Sequence, residues 1–133
     1  MQSEHLTNLH PGWVIGGWMI AAAVTAGLYL GGVGLGLVLP GSAAVVWVAV
    51  SMAGGFFVGG LFVGLRWTDA PILHGAAITL FSVMVWFVAA LFDTATGFGT
   101  LSTVLGLILL QLASSTLGGW TGRRVSLGGS TSA

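Results

Sequence analysis

The sequence predicts an all-α integral membrane protein with four transmembrane helices that form two helical hairpins. Of its 133 residues, 56% are hydrophobic and 5% are charged, whereas soluble domains carry about 25% charged residues. A membrane-spanning helix needs about 20 apolar residues, so this length accommodates four spans with short loops. Turn-forming residues interrupt the apolar sequence at residues 40–42, 66–71 and 93–99. We therefore expect one transmembrane domain over residues 1–133, with spans at about residues 13–39, 43–65, 72–92 and 100–120.

The first span follows a polar segment, residues 1–12, that contains no Lys or Arg. Because a signal peptide needs a basic start, the first helix is expected to remain uncleaved. Residues 13–39 would form a helix of about 40 Å, which exceeds the hydrocarbon thickness of about 30 Å. A tilt or a loosened end is therefore predicted, at the glycine-rich residues 31–36. Pro40 and Gly41 then favour a turn.

The later spans differ in side-chain size. Small residues lie on two roughly opposite faces of the second span, namely Ser51, Gly55 and Gly59 on one and Ala53, Gly60 and Gly64 on the other. This helix is expected to have close neighbours on both sides. The third span has bulkier side chains and is predicted to face lipid.

Residues 125–133 form a Ser/Gly-rich tail that is expected to be disordered.

Glycines four residues apart are the strongest positive signal in the chain. They allow helix backbones to approach closely in lipid, where no hydrophobic force drives association. The spacing has two interpretations, packing within one chain or oligomerisation. We expect packing within the chain for the first two helices and an outward contact for the fourth. The predicted helix-packing residues are Gly55, Gly59, Gly60, Gly64, Gly118 and Gly122.

The order of signals in the first half of the chain recurs in the second half. Each half begins with a Leu-His pair, at His10 and at His74, and each ends with a glycine pair followed by arginine. With four spans, both halves start and finish on the same side of the membrane. The pattern therefore predicts a parallel internal repeat, related by an axis along the membrane normal.

The arginines predict the orientation. Arg66, Arg123 and Arg124 are the only Lys or Arg residues in the chain, and four spans place all three on one side. The positive-inside rule assigns that side, with both termini, to the cytoplasm. Trp13 and Trp67 fall near the same boundary, where indole rings are enriched. The arginines are therefore predicted to set topology and to contact lipid headgroups.

Composition and motifs argue against catalysis and most cofactors. No Asp, Glu, Lys or Arg falls within a predicted span, and no catalytic constellation or metal-binding motif is present. The absence of cysteine removes thiolate sites, and a formal net charge of zero gives no basic surface for nucleic acid. His10 and His74 could ligate a haem or pigment, but the favoured interpretation is that each imidazole caps a helix start or meets headgroups. We therefore expect no enzyme activity, no metal and no cofactor.

The glycine-arginine segments resemble a group of small four-helix bacterial inner-membrane proteins without assigned function. The resemblance covers mainly Gly54 to Gly75 and Gly118 to Arg124. The residues that carry it are the glycine pair and arginine of Gly59-Gly60-Leu61-Phe62-Val63-Gly64-Leu65-Arg66, their C-terminal counterpart Gly118-Gly119-Trp120-Thr121-Gly122-Arg123-Arg124, and Leu73-His74-Gly75 at the start of the third span. It implies a compact four-helix protein of the bacterial inner (plasma) membrane, and it supplies no catalytic residues.

Three functions remain compatible with the sequence. The first is a non-enzymatic role in packing, as a homo-oligomer or as an accessory subunit of a larger membrane complex, with the lipid bilayer and other membrane helices as partners. The second is a small channel or facilitator for a neutral solute. Its lining would come from polar residues within the spans: Thr25, Ser51, Thr79, Ser82 or Gln111. Tyr29 is a further polar candidate within the spans. The third is a haem- or pigment-binding subunit that uses His10 and His74.

Overall fold

The computed structural model describes residues 8–38, 42–67, 69–92 and 100–129. Within these residues the regular structure is helical, and it forms four α-helices: α1 (Pro11–Gly34), α2 (Ser42–Arg66), α3 (Pro71–Phe92) and α4 (Leu101–Gly129). All four helices are long and apolar enough to cross a membrane. The predictions of an all-helical chain and of four helices of membrane-spanning length are confirmed. The predicted turns at residues 40–41 and 93–99 lie outside the described residues.

Helix α1 ends inside the glycine-rich stretch, earlier than residue 39. Gly36 has a φ of +69°, a left-handed conformation that glycine adopts without steric cost. The N–H of Leu37 donates to the carbonyl of Gly32 at 2.9 Å, and the N–H of Gly36 donates to Val33 at 3.0 Å. This pair of bonds is a Schellman motif, which satisfies carbonyls at the helix end. The predicted loosening at residues 31–36 is therefore where α1 terminates.

Helix α4 continues to Gly129, so the prediction of a disordered tail is wrong for residues 125–129. The Ser/Gly-rich composition of residues 125–133 suggested a tail. Extending an existing helix costs much less than nucleating one, since each added residue gains a backbone hydrogen bond. The guanidinium of Arg124 also lies 3.9 Å from the centre of the Trp120 ring, one turn earlier on α4. Residues 130–133 lie outside the described part of the chain.

Helix α2 occupies the centre of the bundle and contacts each of the other three helices. Gly55 and Gly59 meet α1, where Thr25, Ala21 and Gly17 lie against them. Gly60 and Gly64 meet α4 on the other side of α2. Small residues thus occupy both faces of α2 that approach another backbone, and a close α1–α2–α4 layer results.

The α2–α4 contact is reciprocal. A methyl group added at Gly60 would collide with the carbonyl oxygen of Ser115, and one at Gly64 with that of Gly119. In the opposite direction, methyl groups at Gly118 and Gly122 would collide with the carbonyl oxygens of Phe57 and Leu61. Residue numbers increase together along both helices, so α2 and α4 run parallel. Each helix therefore inserts one Gly-xxx-Gly pair into the backbone of the other.

The apolar core lies where α1, α2 and α3 meet. It consists of the buried side chains Val14, Ala21, Phe56, Val63 and Ile78. Gly17 makes room for this core, because a methyl group there would lie 2.7 Å from both Ile78 and Val63. Bulky residues of α3 thus fill a space that a glycine of α1 leaves open.

Candidate functional site

His74 is completely buried at the start of α3, and both nitrogens of its ring are hydrogen-bonded. Its Nε2 accepts the backbone N–H of His10 at 3.1 Å, and its Nδ1 lies 2.9 Å from the carbonyl oxygen of Ala70. Because Nε2 accepts, the proton of the neutral ring is on Nδ1, which donates to Ala70. The imidazole is therefore satisfied by the protein itself.

Ala70 holds an unusual backbone conformation beside this histidine. Its φ is +50°, in the left-handed region, which costs a non-glycine residue about 1–3 kcal/mol. Its carbonyl oxygen accepts the backbone N–H of His74 at 3.0 Å as well as the ring Nδ1–H. These two hydrogen bonds stabilise the strained connection between α2 and α3.

The structure brings the two predicted histidines together, but in an arrangement that differs from a ligand pair. The ring of His10 is exposed and lies 5.6 Å from the ring of Trp67, centre to centre. The group of His10 that hydrogen-bonds the ring of His74 is its backbone N–H. A haem or pigment that took Nε2 of His74 would have to displace the His10 N–H. Across the four described ranges, no group of three or more His, Cys, Asp or Glu side chains is placed to hold a metal ion.

A buried hydroxyl pair joins α3 to α4. Ser115 is completely buried, and its Oγ donates to the carbonyl of Gly75 at 2.8 Å. Because that bond uses the hydroxyl proton of Ser115, the Ser115 Oγ accepts a hydrogen bond from the hydroxyl of Thr79 at 3.0 Å. Ser115 was not among the functional candidates predicted from the sequence. The four-residue spacing of Ser115 and Gly119 could have indicated it, because the two form a small-xxx-small pair alongside Gly118 and Gly122.

The other polar candidates lie at two kinds of position. Thr25, Tyr29 and Ser82 line a cleft of about 310 Å³ between α1, α2 and α3. Ser51 and Gln111 are each 1% exposed, and they do not line that cleft. Three buried oxygens have no hydrogen-bond partner among the described residues: Thr25 Oγ1, Ser51 Oγ and Gln111 Oε1. The candidate lining residues of a channel are thus divided between the cleft, the Thr79–Ser115 pair and the buried interior.

Aromatic side chains form most of the cleft wall. Trp18 and Tyr29 come from α1, Phe56 from α2 and Trp86 from α3. The Trp18 ring is fixed edge-on against Phe81, with 5.2 Å between ring centres and an interplanar angle of 74°. Phe56 is 3% exposed, so it forms the floor. The sequence analysis did not predict this wall, because its rings come from three helices whose relative rotation a hydropathy pattern does not specify.

All six predicted helix-packing glycines lie at contacts between helices. The expectation that the glycines of α4 face outward is wrong, since Gly118 and Gly122 are buried against α2. Other glycines face outward, because a methyl group there would meet nothing within 4 Å: Gly16, Gly27, Gly31 and Gly34 on α1, and Gly106 and Gly128 on α4. The outward glycines of α1 form the larger group.

The three arginines lie at one end of the bundle. Arg66 is exposed in the last turn of α2, and Arg124 is exposed against Trp120. Because Gly64 packs on Gly119 and the two helices are parallel, Arg66 and Arg123 follow that contact at the same end. Among the described residues Asp69 is the only Asp or Glu, so no pair of carboxylates accompanies these arginines there.

No protein-family model, curated protein or solved structure matches this chain. The resemblance to small four-helix bacterial inner-membrane proteins therefore rests on the glycine-arginine segments and on Leu73-His74-Gly75.

Proposed function

We propose that the chain is a non-enzymatic integral membrane protein that acts by packing against other membrane helices, as a homo-oligomer or as an accessory subunit of a larger complex. The observation that carries this proposal is the outward glycine face of α1, formed by Gly16, Gly27, Gly31 and Gly34. At 100° per residue these glycines lie within about 60° of one another around the helix. Gly32, which packs inside the bundle against Trp47, lies about 100° or more from each of them around the helix.

An outward glycine face lowers the stability of its helix, and contact with lipid does not compensate for this loss. Glycine inside a helix is about 1 kcal/mol less favourable than alanine, and a methyl group at any of these four positions would meet nothing within 4 Å in the described part of the chain. A second helix that approached this face would gain dispersion contacts along its whole backbone. A second copy of the chain is the favoured occupant, because identical faces related by a two-fold axis are self-complementary.

Cysteine crosslinking tests this proposal directly, since the chain contains no cysteine. Gly27→Cys places a thiol on the outward glycine face, and Gly106→Cys is the matched control on α4, where a side chain also meets nothing within 4 Å. We expect oxidation in membranes to give dimers of the Gly27→Cys variant and to leave the Gly106→Cys variant monomeric. Crosslinking of Gly27→Cys to a different protein indicates an accessory subunit. Monomers for both variants, with nothing co-purifying, would contradict the proposal.

The proposal includes a placement in the membrane. The four helices cross the bilayer as two hairpins related by a parallel repeat, in a bacterial inner membrane, with both termini in the cytoplasm. The reciprocal α2–α4 contact supports the repeat, because the Gly60/Gly64 pair and the Gly118/Gly122 pair play equivalent parts in it. The arginines at one end of the bundle support the orientation.

A second candidate function is a small channel or facilitator for a neutral solute. It is favoured by the buried oxygens without partners on α1, α2 and α4, in Thr25, Ser51 and Gln111. Unsatisfied buried polar atoms are rare in folded proteins, and a passing water or alcohol could satisfy them. The test is the flux of water, urea and glycerol into proteoliposomes. Flux equal to that of protein-free liposomes rules this function out for those three solutes.

A further inference from the structure

The cleft between α1, α2 and α3 has the size of a small ring compound. Its volume is about 310 Å³, about twice that of the 150 Å³ apolar cavity that is known to admit benzene. A substituted single ring or a pair of rings therefore fits. Trp18, Tyr29, Phe56 and Trp86 surround this space, and aromatic side chains favour stacked or edge-on contacts with another ring.

Ser82 supplies a hydroxyl to the wall of the cleft. The residue lines the cleft and is 2% exposed, and its Oγ is not one of the fully buried side-chain atoms that lack a partner among the described residues. Thr25 also lines the cleft, but its Oγ1 is buried against Gly55. Ser82 is thus the donor that a ligand in the cleft would meet.

We propose that this cleft binds a membrane-soluble ring compound that carries a carbonyl oxygen, with the ring held between Trp18 and Trp86 and the oxygen accepting the hydroxyl of Ser82. None of the residues that line the cleft is charged, so the ligand is neutral. The cleft lies between α1 and α3 on the outer surface of the bundle and is open. The ligand therefore enters from the hydrocarbon phase and has to partition into lipid.

Photolabelling with a lipid-soluble diaryl ketone, 4-decylbenzophenone, tests this site. The probe carries the proposed ring and carbonyl group, and its excited ketone inserts into nearby C–H bonds, with a preference for methionine. Met52 lines the cleft and is 6% exposed, whereas Met19 and Met84 are 60% and 59% exposed on the outside. Random labelling from the bilayer therefore marks Met19 and Met84. Binding in the cleft marks Met52.

The expected result for the full-length protein in nanodiscs is saturable labelling of Met52, read by mass spectrometry of peptides. Decyl benzoate, which carries a ring and a carbonyl oxygen and does not absorb at the labelling wavelength, should compete. Decylbenzene, which has the ring and tail without the oxygen, should compete about fivefold to tenfold less well, as expected for one missing hydrogen bond. Saturable labelling that decylbenzene blocks equally well would overturn the carbonyl requirement.

Two variants and two controls locate the contacts. Ala22 lines the cleft, so Ala22→Leu should fill it and abolish the labelling of Met52. The matched control is Ala89→Leu, at an exposed position on α3.

Ser82→Ala should weaken probe binding about fivefold to tenfold, as expected for one lost hydrogen bond. Ser102→Ala, on the exposed start of α4, should not change probe binding. Labelling of Met19 and Met84 that exceeds that of Met52, or labelling of Met52 that survives Ala22→Leu, would overturn the proposal.

Discussion

At the scale of single residues, His74 differs most from its predicted setting. Its place at the start of the third helix follows from the sequence, because Pro71 favours the first turn of a helix. Its burial does not follow, because it depends on the backbone of His10, which is 64 positions away along the chain and belongs to another helix. A hydropathy pattern describes each helix alone and contains no information on such a contact.

Removal of the His74 ring should destabilise the protein. In His74→Leu, the N–H of His10 loses its acceptor, and the carbonyl of strained Ala70 loses one of its two donors. Buried polar groups left without partners cost about 1–3 kcal/mol, so we expect a clearly lower melting temperature by circular dichroism in detergent. His10→Ala is the control, because it keeps the backbone N–H and removes only an exposed ring. Equal melting temperatures for wild type and His74→Leu would show that the two bonds contribute little.

At the scale of helices, the sequence predicted well that four helices are present. It predicted less well which helices contact one another. Four helices of membrane-spanning length follow from apolar runs of about 20 residues between turn signals. The outward assignment of Gly118 and Gly122 was wrong, because a glycine pair shows that a helix can approach another closely without showing which one. Ser115 has the same small size as these glycines and contacts two neighbours, Gly60 and Gly75. The position of α4 thus depends on small residues that meet α2 and α3 simultaneously.

Substitution of alanine for glycine should separate the two kinds of glycine. Gly60→Ala forces a methyl group against the backbone carbonyl of Ser115, which cannot move without shifting α4. Overpacking of this kind costs about 1–3 kcal/mol, so the free energy of unfolding in a denaturant titration should fall by that amount. Gly106→Ala, where nothing lies within 4 Å, should be neutral or slightly stabilising because alanine has the higher helix propensity. The same loss in both variants would mean that close packing of α2 on α4 is not the cause.

At the scale of the whole molecule, composition determines the class and geometry determines the sites. A chain with 5% charged residues and four apolar helices is suited to a bilayer. The cleft, the buried histidine and the hydroxyl pair each combine residues from at least two helices. Their positions depend on helix rotation and on backbone distance, which the glycine contacts set. This explains why the helices could be predicted while the arrangement of polar residues between them could not.

The proposed orientation predicts the same location for both ends of the chain. Because Arg66 and Arg123 follow a parallel glycine contact, the C-terminal ends of α2 and α4 lie toward the same side, and an even number of crossings returns the chain to its starting side. Reporter fusions at the N-terminus and at the C-terminus should both be active in the cytoplasm, with alkaline phosphatase inactive and green fluorescent protein fluorescent. Replacement of Arg66, Arg123 and Arg124 by glutamine removes all Lys and Arg residues, and it should give a mixed orientation because the positive-inside bias is lost. Reporters at the two ends of the unmodified chain that respond from opposite sides would contradict four crossings, whatever the arginine variant does.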